Sequence, residues 1–170
     1  MRKIIQFSFI LIAANVIFIR VSAQLPKALV FGNVSYASPL NTSFKNFCNY
    51  GIGYELGGGI GLGKTLLIGS VGQMRYHLPK QTAGGVVLFE EENLNVTPVK
   101  IGIRRYLLLG LFLNANMGIA IQQSKSPFLY EAGAGYKLGF LEIGAAYTGY
   151  KVGGLTNNSL LVKAGLAIKI

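Results

Sequence analysis

The chain has 170 residues, with sixteen Lys or Arg against six acidic side chains, and a single Cys and a single His. One cysteine excludes an intrachain disulfide, and the length suits one domain rather than two. A charged fraction of only 13%, with 23 Gly, 10 Phe, 9 Tyr, no Trp and no Asp, is poorly suited to a domain whose whole surface meets water.

Residues 1–23 read as a cleaved signal peptide. Arg2 and Lys3 form a basic start, Ile4 to Ile19 a mostly apolar run broken by Gln6 and Asn15, and Val21-Ser22-Ala23 a small-residue cleavage site. The run is short for a membrane-spanning helix. Residues 24–170 are then the exported domain. Without Arg2, Lys3 and Arg20 it keeps a clear basic excess, and an exported basic chain meets anionic lipid headgroups or surface polysaccharide rather than nucleic acid.

From Lys27 onward the chain divides into eight strand-length pieces, and no stretch has the period of a helix. The first, Ala28 to Ser38, sets Val30, Val34 and Tyr36 on one face and Leu29 and Phe31 on the other. The second begins at Asn49. Tyr50, Ile52, Tyr54, Leu56, Ile60 and Leu62 share one parity, and a glycine row with Glu55 takes the other. Residues 58–65, GGIGLGKT, also fit the phosphate-loop pattern G-x-x-x-x-G-K-[ST]. That loop needs a buried strand before it, a helix after it and a carboxylate for the metal. Here the strand alternates, the following residues have a period of two, and all six acids are Glu, none ending a second apolar strand. The match is a coincidence in a Gly-rich hairpin, and no nucleotide is expected.

The third piece, Leu66 to Leu78, offers Leu66, Ile68, Met74, Tyr76 and Leu78 as its apolar face, with Gln73, Arg75 and His77 opposite. The fourth, from about Val96 to Leu107, alternates Val99, Ile101, Ile103 and Leu107 with Lys100, Gly102, Arg104 and Tyr106; Arg105 breaks the row and belongs at a membrane rim. Leu111 to Gln122, Phe128 to Leu138, Leu141 to Thr148 and Leu160 to Ile170 alternate in the same way.

Three short turns are expected: Gly63 to Thr65, Leu108 to Gly110, and Gly139-Phe140 with Gly first. The last places Lys137 opposite Glu142. Longer links, Pro39 to Cys48, Pro79 to Asn95, Gln123 to Pro127 and Val152 to Asn158, alternate with these turns, as in a barrel with short periplasmic turns and long outer loops. The apolar rows then face lipid, with Tyr50, Tyr76, Phe128, Tyr130 and Tyr147 in a girdle near the long loops. The rows of Gly and paired charge fill a narrow interior.

On these residues the chain, over about residues 25–170, resembles the small eight-stranded outer-membrane β-barrels of the OmpA and OmpX type. The last strand's apolar row runs to the final residue, as theirs does, although that family usually ends on Phe and this chain ends on Ile170. The expected fold is all-β, an eight-stranded antiparallel up-and-down transmembrane barrel in a Gram-negative-type outer membrane.

The interior polar set is expected to be Glu55, Arg75, Lys100, Arg104, Glu131, Lys137, Glu142 and Lys163, ion pairs that plug the lumen rather than line a pore. Lys137 with Glu142, and Glu55 with Arg75, are the expected pairs. His77 lacks a nearby serine and acid in sequence, and one His and one Cys make no metal site, so no catalytic residue, cofactor or metal is expected. Expected partners are outer-membrane lipids and lipopolysaccharide, with a surface or envelope protein reached through the 79–95 loop, which carries Val86 to Phe89 and Glu90 to Glu92. The alternatives are a narrow channel or accessory subunit of an envelope transport or secretion assembly, a soluble lipocalin-like ligand-binding barrel, and a lipid hydrolase using His77.

Overall fold

The structure is a computed structural model and describes residues 26–46, 48–78, 81–83, 86–89, 93–122, 125–152 and 155–170. The expected signal peptide and the Glu90 to Glu92 triplet lie outside these residues. In chain order the elements are β1 (Pro26–Pro39), a one-turn helix α1 (Thr42–Lys45), β2 (Tyr50–Leu62), β3 (Thr65–His77), β4 (Gln81–Ala83), β5 (Val86–Phe89), β6 (Asn93–Tyr106), β7 (Leu111–Ile121), β8 (Phe128–Leu138), β9 (Leu141–Val152) and β10 (Leu155–Lys169).

Eight of the strands close into a barrel in the order β1-β10-β9-β8-β7-β6-β3-β2, and every neighbouring pair is antiparallel. Closure is made by β1 and β10, from Leu29 opposite Lys169 to Pro39 opposite Ser159. A closed sheet has no open edge, so every ladder can be satisfied without water, as a bilayer core demands. β4 and β5 form a separate two-stranded sheet within the 79–95 link.

The side-chain rows follow the solvent inversion of a membrane barrel. Ile52, Leu113 and Leu166 are about half exposed on the outer wall, whereas Glu55 is 7% exposed inside it. Tyr36, Tyr54, Phe128, Tyr130 and Tyr147 are also exposed, and Tyr36 stacks on Tyr50 with 5.8 Å between ring centroids. Arg105 is exposed beside the short β2–β3 turn, opposite Thr65.

The β2–β3 turn departs from expectation, with large consequences. It has two residues, not three: Leu62 pairs with Thr65, and Gly63 has φ +62°, the positive angle that a type II′ turn requires at its first position. Shifting the register by one residue turns all of β3 over. Leu66, Ile68, Met74 and Tyr76 are therefore buried inside, and Arg75 lies exposed on the outer wall. Tyr76 leaves the expected girdle, and Arg75 leaves the expected interior set. Volume explains the choice. The inner row of β2 is almost all glycine, and the β3 side chains fill that space, with Tyr76 opposite Gly51 and Ile68 opposite Gly59.

The other two turns have the expected registers, with Arg104 opposite Asn114 and Lys137 opposite Glu142. The expected Val152 to Asn158 link is far shorter, because β9 and β10 stay paired as far as Val152 opposite Leu155. The apolar alternation stops there before the backbone ladder does, since Asn157 and Ser159 are buried at the barrel mouth.

Candidate functional site

Among the described residues, every ion pair lies in the lumen. At mid-height Glu55 on β2, Lys100 on β6, Glu131 on β8 and Lys163 on β10 meet. These are alternate strands around the barrel, so the sign alternates with them. The Lys100 ammonium lies 2.7 Å from Glu55 and 2.8 Å from Glu131. The Lys163 ammonium lies 3.1 Å from Glu55 and 2.7 Å from Glu131. Four ion pairs thus form a closed ring of zero net charge across the lumen, and Asn116 donates a further hydrogen bond to Glu131 at 3.1 Å.

Local sequence makes room for this ring. The residues opposite its members on the intervening strands are short: Gly72 beside Glu55, Ser70 and Gly118 beside Lys100, Asn116 and Thr148 beside Glu131, and Ser35 and Gly144 beside Lys163. Four long side chains can reach the axis only because their neighbours do not. Buried charges cost several kcal/mol each in lost hydration unless they are fully paired, and here each carboxylate faces two ammonium groups.

Toward the short-turn end, Arg104 Nη1 donates to both Glu142 oxygens, at 3.1 and 2.9 Å, and the Tyr106 hydroxyl donates to Glu142 Oε1 at 3.1 Å. The Arg104 guanidinium lies between the rings of Phe31 and Phe112, 4.7 and 4.6 Å from their centroids, a favourable cation–π arrangement. Leu29, Phe31, Leu66, Ile68, Tyr106, Phe112 and Ala167 pack together around it and close this end.

Toward the long-link end the Tyr150 hydroxyl donates to the Tyr76 oxygen at 2.8 Å, Asn157 Nδ2 donates to the same oxygen at 3.0 Å, and the Ser159 hydroxyl donates to Asn157 Oδ1 at 2.6 Å. From α1, Phe44 packs edge-on against Tyr76, 5.4 Å between centroids, and Cys48 and Met74 join the same buried cluster. Between these seals the lumen holds cavities of about 20 Å³ and about 30 Å³. A water needs roughly 10–15 Å³ of such space, so each cavity has room for one or two waters and neither is a passage.

Of the residues expected inside, Glu55, Lys100, Arg104, Glu131 and Glu142 are buried, Lys137 and Lys163 are half-buried, and Arg75 is outside. The expected partnerships are redrawn. Lys137 sits opposite Glu142 in register but donates to the Ala167 carbonyl, while Glu142 is taken by Arg104 and Tyr106. Glu55 meets Lys100 and Lys163, not Arg75. Side chains in a closed narrow barrel cross the axis to other strands, which a hairpin register alone does not reveal. Asn116, Tyr150, Asn157 and Ser159 are not among the expected site residues, and Tyr76, expected in the lipid-facing girdle, joins them inside. Asn116 alone carried a signal, as a polar residue in the inner row of β7.

His77 lies on the outer wall, its ring 4.7 Å from that of Tyr50. Among the described residues no group of three His, Cys, Asp or Glu side chains comes together to hold a metal. Burial of Cys48 in the α1–β2 link pushes its thiol up to about 11. The thiolate is the reactive form, so at pH 8 the folded protein should resist iodoacetamide and label fully only after unfolding in urea. Intact mass before and after denaturation reads this out, and rapid labelling of the folded protein would contradict it.

No protein-family model and no curated protein matches the chain. Among solved structures it is similar to Ail, the attachment invasion locus protein of Yersinia pestis. Ail in complex with the heparin analogue sucrose octasulfate matches with a TM-score of 0.53 and 15% identity, covering 84% of this chain and 98% of that one. Ail in a phospholipid bilayer nanodisc matches with a TM-score of 0.55 and 16% identity, covering 84% and 99%. At such identities the likeness speaks for the fold, and the fold is that of the small eight-stranded outer-membrane β-barrels.

Proposed function

We propose that the chain is a non-catalytic integral outer-membrane protein, exported by a signal peptide, that acts through its outer loops in a structural or surface-interaction role. One observation carries this reading: an apolar outer wall surrounds a lumen that is closed at both ends and pinned by a neutral ion ring. Such a barrel is an anchor. What it presents to the exterior is the loop end, where Lys45, Lys125 and Lys151 are exposed. Ail was captured with a sulfated saccharide, and an anionic surface polysaccharide is the ligand class that these lysines suit here.

The protein extracted from outer-membrane fractions should migrate faster unheated than boiled, and it should give no steady conductance in a planar bilayer. A stable open pore would replace the anchor reading with the channel alternative. Recovery from the soluble fraction without detergent would favour a lipocalin-like barrel instead.

A further inference from the structure

On the outer wall near the long-link end, β1, β2 and β3 frame an open groove of about 400 Å³ lined by Val34, Ile52, Tyr54, Gln73, Arg75 and His77. Its two chemistries are separated. Val34, Ile52 and Tyr54 are more than half exposed and continue the lipid-facing wall. Gln73, Arg75 and His77 end the outward row of β3.

Arg75 is the unusual member. Every ion pair among the described residues lies in the lumen, and Arg75 belongs to none of them. Its one described hydrogen bond runs from Nε to Asn95 Oδ1 at 3.3 Å. Among the described residues the two terminal nitrogens therefore stay unengaged, and they are well shaped to grip a pair of phosphate oxygens. An uncompensated cation on a wall that meets hydrocarbon is costly. The tyrosines at this level, Tyr36, Tyr50 and Tyr54, place it at the headgroup boundary, where an anion can sit. Gln73 is prepared in the same sense. Its amide oxygen already accepts from the Tyr54 hydroxyl at 3.1 Å, which leaves its N–H groups for an oxygen-rich headgroup.

We propose that this groove binds the phosphorylated headgroup of an outer-leaflet lipid. Arg75 and Gln73 hold the phosphate, and an acyl chain lies along Val34 and Ile52. The assignment rests on the outer-membrane reading above and names where that lipid sits.

The test uses the full mature chain, folded and reconstituted in nanodiscs of phosphatidylcholine doped with lipid A, with retained lipid measured by native mass spectrometry. Wild type should retain lipid A at least fivefold better than Arg75→Gln. Arg75→Lys should keep part of that preference, and 10 mM inorganic phosphate should not displace the lipid. Equal retention by wild type and Arg75→Gln would overturn the site, as would displacement by phosphate alone. A tenfold rise in retention when Glu90, Glu91 and Glu92 are all changed to Gln would also overturn it, because the acidic triplet would then be the resident partner of Arg75. Heat-modifiable migration of the same samples separates two failures. Without a fast-migrating form in wild type the membrane reading itself falls; with that form present and no lipid preference, only the groove assignment falls.

Discussion

Glu131→Gln is expected to destabilise the barrel by about 3–5 kcal/mol, the cost of removing one partner from a buried charge cluster. Glu131 is 3% exposed and accepts from Lys100, Lys163 and Asn116. The amide that replaces it keeps the volume but loses the charge. Two ammonium groups then share the single Glu55 carboxylate in an interior closed at both ends. The clean comparison is the double variant Glu131→Gln with Lys100→Met, which leaves the Glu55–Lys163 pair neutral and should recover most of the loss. Urea unfolding of the vesicle-reconstituted barrel, followed by far-UV circular dichroism, gives both values. If the single and double variants unfold at the same midpoint, the ring does not act as a charge-balanced unit.

Recovery in the double variant is what a plug requires. A plug needs only neutrality and packing, so a hydrophobic substitution that removes one whole pair is tolerated, as replacement of buried ion pairs by apolar side chains often is. A proton path would need the carboxylates themselves. The geometry favours the plug, because apolar clusters around Phe31 and around Tyr76 close the lumen on either side of the ring.

Much of this arrangement could be read from the chain before any coordinates. In β2, β7, β8 and β10 one row is almost wholly apolar and the other mixes small, polar and charged residues with few large apolar ones, so period two assigns both faces at once. β3 defeated that reasoning because both its rows are greasy at the start: Leu66 and Ile68 lie on one, Leu67 and Val71 on the other. With pattern silent, the face is set by one residue of turn length, and the two-residue Gly63-Lys64 turn sends Arg75 outside. The ring illustrates a second limit. Its members were all legible as inner-row charges, but their partners lie on alternate strands, and only closure of the barrel brings these together. The β9–β10 mouth illustrates a third, since a strand whose inner row turns polar, as at Asn157 and Ser159, looks like a loop when apolar alternation is the only signal.

A pair of leucine substitutions at adjacent glycines separates the barrel from the phosphate-loop reading of the same residues. In the phosphate-loop pattern Gly58 is an obligatory position and Gly57 lies outside the motif, so Gly58→Leu should do the damage. The barrel demands the reverse. A Cβ at Gly57 would come within 2.4 Å of the Phe31 ring and 2.6 Å of the Gly69 carbonyl oxygen, whereas one at Gly58 would meet only the Leu29 carbonyl oxygen, at 3.2 Å. Leucine at 57 must displace Phe31, the ring that covers one face of the Arg104 guanidinium, so the damage reaches the buried Arg104–Glu142 pair. Overpacking of this kind costs about 3 kcal/mol. Leucine at 58 points toward the lipid and should stay within about 1 kcal/mol of wild type. Urea midpoints of the two variants, measured beside nucleotide binding by wild type, decide the matter: a severe loss at Gly58 with a mild one at Gly57 would reverse the faces of β2 and with them the whole inside-out assignment of the barrel.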